Sequence, residues 1–111
     1  MIKKSKYLNE TQKYEAWKKE FREEMQKVLT EIFSKRFPAC FISVYKVDKW
    51  NVEFNISSLP IYLGELERNS SLSNILTVYP IFGENGRRTC ILKAKTLDEF
   101  DAKLGYLKII I

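Results

Sequence analysis

One feature constrains this chain more than any other. Tyr14, Trp17, Phe21, Met25, Val28 and Ile32 follow one another at intervals of three and four residues, and Leu29 and Phe33 widen the stripe. This is the spacing of one face of an α-helix. Asn9 is a good N-cap, and Gln12 completes a pair like a capping box. The opposite face sets Glu15 before Lys19, Glu23 before Lys27 and Glu31 before Lys35, each acid one turn ahead of its base. Pro38 disfavours helix at Phe37, so the spacing predicts a helix over about residues 10–36. Such a helix is roughly 40 Å long at 1.5 Å per residue, whereas a compact domain of this length has a radius of gyration of ~13 Å. One end of the helix is therefore expected to overhang the core or to meet a partner. Its aromatic part, Tyr14, Trp17 and Phe21, is the candidate partner-binding surface, and a homodimer through this helix is one arrangement it allows.

Everything after the helix reads as sheet punctuated by turns. Residues 39–47 are β-branched and aromatic on both parities, the signature of a central strand. Asp48-Lys49 makes a turn. Trp50, Val52, Phe54 and Ile56 then alternate with Asn51, Glu53, Asn55 and Ser57, which gives an antiparallel partner with one wet face. Pro60 and Gly64 interrupt the next stretch, leaving room for a short edge strand at Ile61–Leu63 followed by a polar loop to Asn74. The segment Tyr79–Lys95 reads as a second hairpin turning at Asn85-Gly86, since a type I′ turn needs positive φ at both central residues. That turn sets Ile81 opposite Cys90 and Tyr79 opposite Leu92, and assigns all four to the core. Pro80 confines its strand to an edge or a bulge. Thr96 and Glu99 form a capping box for a short helix carrying Leu97, Phe100 and Leu104. Gly105 is read as its end, with Tyr106–Ile111, ending in β-branched isoleucines, as a last strand; the alternative is a helix that runs on to the end with Leu107 in its stripe. The expected architecture is α+β: a long N-terminal helix, an antiparallel sheet of four to five strands in two hairpins, and a short C-terminal helix. Residues 1–9 read as a flexible basic tail and 10–111 as a single domain, because 111 residues leave no room for a second core.

Charge and composition narrow the function. The chain has no histidine, which removes the commonest general base, metal ligand and pH switch. Cys40 and Cys90 sit in apolar runs and match no zinc or redox spacing, so each reads as a buried reduced thiol. Asp98, Glu99, Asp101 and Lys103 form a loose acid cluster that the electrostatics of a helix start already explains. No glycine-rich phosphate loop is present. The chain therefore reads as non-enzymatic, without metal or cofactor. It lacks both an apolar run long enough for a membrane helix and a secretory leader, and so reads as cytoplasmic, with no membrane partner.

The net charge is +5, of which Lys3, Lys4 and Lys6 supply three. The remaining body is nearly balanced, which weakens any argument for nucleic acid from charge alone. A basic sheet face remains a candidate nucleic-acid surface. It comprises Arg87, Arg88, Lys93 and Lys95, extended by Lys46 and Lys49, with Tyr45, Trp50 or Tyr79 as stacking faces and the lysine tail as an added attraction. Arg88 has the opposite parity to Arg87, Lys93 and Lys95. Lysines on exposed strands also guard against aggregation, so the patch is either a grip or a guard. The favoured expectation is a small stoichiometric protein-binding module of the inhibitor or adaptor type, in the style of mobile elements. Nucleic-acid binding is the alternative.

Overall fold

The computed structural model describes residues 10–111. The Asn9 cap and the Lys3, Lys4 and Lys6 tail lie outside the described residues. Seven elements follow one another: α1 (Glu10–Ser34), β1 (Phe41–Asp48), β2 (Asn51–Ser57), α2 (Pro60–Arg68), β3 (Leu76–Ile81), β4 (Glu84–Lys93) and α3 (Leu97–Ile110). The four strands form one antiparallel sheet in the order β1-β2-β4-β3. This is the α+β architecture with a long first helix and a short last one.

All three helices are spent on one face of the sheet. Val52, Phe54 and Ile56 of β2 and Cys90 and Leu92 of β4 are fully buried there, against Met25, Leu29, Ile32 and Phe33 of α1, Leu63 and Leu66 of α2, and Phe100 and Leu107 of α3. None of the residues that alternate with them is buried. The helical stripe and the period-two pattern of β2 thus predict the core correctly.

Four expectations change. Residues 60–68 are helix, not an edge strand and loop. Pro60 occupies the first turn, where its missing N–H costs nothing, and Leu63 and Leu66 face the core one turn apart. The C-terminal segment is also helix, with Gly105 inside it. Thr96 Oγ1 accepts the Glu99 N–H at 3.1 Å and starts a helix whose Phe100 and Leu107 both bury. Extending a capped helix adds one backbone hydrogen bond per residue, with no new nucleation step. β1 is an edge strand rather than a central one. It is apolar on both parities because Phe41 and Tyr45 face solvent, and its free edge is closed from above by Gln26 of α1, whose amide donates to the Ile42 carbonyl and accepts the Val44 N–H at 2.8 Å.

The fourth change is the register of β3 and β4. The tight turn falls at Phe82-Gly83, with Gly83 at φ +81°, and Ile81 pairs with Glu84. Leu76 then faces Leu92, Val78 faces Cys90 and Tyr79 faces Thr89. Between Pro80 and Ile81 the register shifts, and Asn85, Gly86 and Arg87 form a long bulge in β4. Pro80 has no N–H to continue the ladder, as its edge position requires. Relative to an Asn85-Gly86 turn the slip is three residues, an odd number, so β3 turns its other face to the core. Leu76 is buried and Tyr79 is half exposed. Cys90 and Leu92 stay inside; Tyr79 and Ile81 do not.

Candidate functional site

The site begins with what the helices leave bare. By register, residues of the outer face fall into four rows across the sheet. Phe41, Ser57 and Arg87 form the first. Ser43, Asn55, Thr89 and Tyr79 form the second. Tyr45 and Lys46, Glu53, Ile91 and Thr77 form the third. Asp48, Asn51 and Lys93 form the fourth. Three aromatic rings stand at the row ends: Phe41 is 66% exposed, Tyr45 46% and Tyr79 50%. Phe82 projects from the tip of the second hairpin. Solvated faces of antiparallel sheets are ordinary; three exposed aromatics on one of them are not, since such rings are usually buried or bound.

The middle of the face is polar and fixed. Thr89 Oγ1 donates to Asn55 Oδ1 at 3.0 Å across β2 and β4. A bulge in β1 sets both Tyr45 and Lys46 against Glu53. The Tyr45 hydroxyl donates to Glu53 Oε1 at 3.3 Å, and Lys46 Nζ lies 3.7 Å from Glu53 Oε2. Partial burial, with the Glu53 carboxylate beside it, pushes the Tyr45 hydroxyl above its ordinary range and keeps it a neutral donor. Asp48, at the lower corner, accepts from the Tyr14 hydroxyl and from the Lys49 N–H. Both acids of the face are thus engaged within the chain.

The sequence-predicted cations do not form one patch. Lys46, Arg87 and Lys93 share the outer face. Lys49 and Lys95 lie beyond the strand ends at the Lys93 side, where the Ala94 N–H donates to the Trp50 carbonyl at 2.7 Å. Arg87 reaches Glu84 at 3.5 Å. Arg88 is elsewhere: it points inward, is 9% exposed, and its Nε lies 2.9 Å from Glu67 Oε1 of α2. Its Nη1 donates to the carbonyls of Asn85 at 2.7 Å and Arg87 at 2.8 Å, bracing the bulge. Gly86 suits that bulge, since a Cβ there would sit 3.2 Å from the Ser58 carbonyl oxygen, a tight approach to backbone. Arg88 is a structural residue in this geometry.

The aromatic start of α1 packs within the chain. Tyr14 stacks on Trp17, and Trp17 stacks on Phe21 with centroids 5.0 Å apart. Trp50 meets both Trp17 and Phe21 edge-on, and Phe100 of α3 closes on Phe21 at 5.6 Å. Trp50 holds φ +55°, costly for a bulky side chain, and this ring cluster keeps it there. Tyr14, Trp17 and Phe21 remain half-buried, with Trp50 and Phe100 over much of what the helix would otherwise expose.

Burial pushes the Cys90 thiol up to about 12, and Cys40, half-buried beside Ser34, is also raised. Glu99 is held below the usual carboxylate range, first by the Lys95 N–H, which donates to it at 2.6 Å, and then by Lys103. Among the described residues, no three His, Cys, Asp or Glu side chains converge as metal ligands, and no helix is long and apolar enough to cross a membrane. Neither a family model, nor a curated protein, nor a solved structure matches this chain.

Sequence reasoning names Tyr45 as a stacking face, names Tyr79 both as a stacking face and as a core residue, and leaves out Phe41. The signal was present, since Phe41 and Tyr45 alternate with the buried Ile42 and Val44. Reading β1 as doubly covered concealed it.

Proposed function

We propose that this protein is a non-enzymatic, stoichiometric binding module that engages a protein partner through the open face of its sheet. The observation that carries the reading is the chemistry of that face. Phe41, Tyr45 and Tyr79 stand exposed around a centre of Ser43, Asn55 and Thr89. Aromatic rings over small hydroxyl and amide groups are the composition of protein interfaces, because rigid rings bury much area at little entropic cost. Lys46 pairs with Glu53, Arg87 with Glu84, and Asp48 accepts within the chain, so Lys93 is the cation of the face with no ion pair among the described residues. The partner surface that complements it is polar at its centre, apolar where it meets the three rings, and acidic toward Lys93. The inhibitor or adaptor role fits such a rigid, unreactive surface.

The test is capture of the partner from native host extract by the wild type and by a Phe41→Ser, Tyr45→Ser, Tyr79→Ser variant. A partner present in stoichiometric amount with the wild type and lost with an equally folded variant supports the reading. Equal capture by both sinks it.

Nucleic acid is a second reading, favoured by the same rows: Lys46, Arg87 and Lys93 flank rings on which bases could stack. It predicts a gel shift of single-stranded DNA or RNA that weakens steeply with salt and is lost when Lys46, Arg87 and Lys93 become Glu. No shift at low salt removes it.

A further inference from the structure

A second charged feature lies around the edge of β1 from the open face. Gln26 closes the first half of that edge. Its amide bonds the Ile42 carbonyl and the Val44 N–H, the pair of groups that one residue of a parallel neighbouring strand would take. The strip of α1 that carries Gln26 continues N-terminally through Arg22, Lys19, Lys18 and Glu15, at the spacings that share a helix face. Together with Tyr45, Lys46 and Val47 these residues line a cleft of about 190 Å³ between the helix and the second half of the edge.

Four cations and one acid line this cleft. Lys18 is held by Glu15 at 3.8 Å and lies over the Tyr14 ring, and Lys46 is held by Glu53 at 3.7 Å. Lys19 and Arg22 make no ion pair among the described residues. Both are exposed on the helix. They are the free charge of the cleft, and the planar fork of Arg22 suits an oxyanion.

We infer that this cleft is a carboxylate site that takes an acidic segment of the protein partner, an inference that rests on the protein-binding reading above. The cations already paired here hold carboxylates, at distances long enough for exchange. Glu15 in the wall repels a doubly charged phosphate more than a single carboxylate. The site adjoins the open face through Tyr45 and Lys46, so one partner could engage both.

The experiment needs no identified partner. The full chain is titrated with hexaglutamate, hexaglutamine, inorganic phosphate and a short single-stranded oligonucleotide, while backbone amide shifts are followed. Hexaglutamate is expected to move residues 15–22 and 45–47, and hexaglutamine to move nothing. Lys19→Glu with Arg22→Glu should weaken hexaglutamate about tenfold or more without changing the melting temperature, both sites being exposed. Lys108→Glu, an exposed cation of α3 outside the cleft, should leave peptide binding at the cleft unchanged. No movement in the cleft overturns the inference, as does tighter binding there of phosphate or oligonucleotide than of hexaglutamate. Loss of partner capture by the open-face variant is read separately, so failure of one reading is not mistaken for failure of the other.

Discussion

The inner and outer faces of this sheet are made by the same four strands, yet they follow different rules. On the inner face, Phe54, Ile56, Cys90 and Leu92 have no solvent contact and their neighbours come from all three helices. On the outer face, Phe41 and Tyr79 are at least half exposed and their neighbours are short polar groups. Arg87 and Arg88 show the difference in adjacent residues. Arg88 braces a bulge and pairs with a helix at 2.9 Å; Arg87 has one exposed acid at 3.5 Å. Residue type does not decide which aromatic or cation is structural. The side of the strand does.

The comparison can be broken most sharply with two phenylalanines. Phe54→Ala should cost about 3–5 kcal/mol, which would consume much of the stability of a domain this small. Phe41→Ala should stay within about 0.5 kcal/mol. Urea unfolding of both variants measures this, and similar losses would mean that the outer face is not free. The two arginines come next. Arg88→Ala should cost roughly 2–3 kcal/mol, because it removes a nearly buried charge pair and leaves bulge carbonyls unbonded. Arg87→Ala should cost less than about 0.5 kcal/mol.

A smaller effect is expected at the sheet edge. Gln26→Ala should cost about 1 kcal/mol and leave the Ile42 carbonyl and Val44 N–H open to pairing. Size-exclusion chromatography with light scattering should then show association that the wild type lacks. The smallest stability change belongs to Tyr79→Ser, expected near zero while partner capture falls. A large loss of stability there would move Tyr79 into the core and remove it from the interface.

Acid–base behaviour sharpens the same contrast. The Cys90 thiol is raised by burial from 9.0 to about 12 in the folded chain. Between those values the unfolded chain releases a proton that the folded chain keeps. Its contribution to stability is therefore complete below pH 9 and declines as pH rises toward 12. The wild-type urea midpoint should fall more steeply over this range than that of Cys90→Ala. In the native state at neutral pH, alkylating reagents should reach the half-buried Cys40 before Cys90.

Much of the architecture is legible without coordinates. The stripe from Tyr14 to Phe33 specifies a helix and its buried side, and the alternation from Val52 to Ile56 specifies a strand with one dry face. Local chemistry suffices in both places because period and burial agree. Thr96 and Glu99 likewise mark where α3 begins. Pro60 was misread for a reason that is itself local: proline breaks helices from within but starts them at the first turn.

The candidate site is different. Its aromatic set depends on the β3–β4 register, and two turns compete for that register. Asn85-Gly86 has the stronger local preference, yet Phe82-Gly83 forms the turn. The bulge that results is accompanied by contacts distant in sequence. Arg88 pairs with Glu67 of α2, and the Ser58 N–H donates to the Gly86 carbonyl at 3.1 Å. Neither contact can be inferred while residues 58–74 read as loop. The sequence by itself therefore determined the buried stripe of α1, the start of α3, the presence of two hairpins and the inward direction of Cys90 and Leu92. Only the tertiary structure decided that Tyr79 faces out beside Thr89, because a slip of three residues reverses a strand and long-range contacts fix its extent.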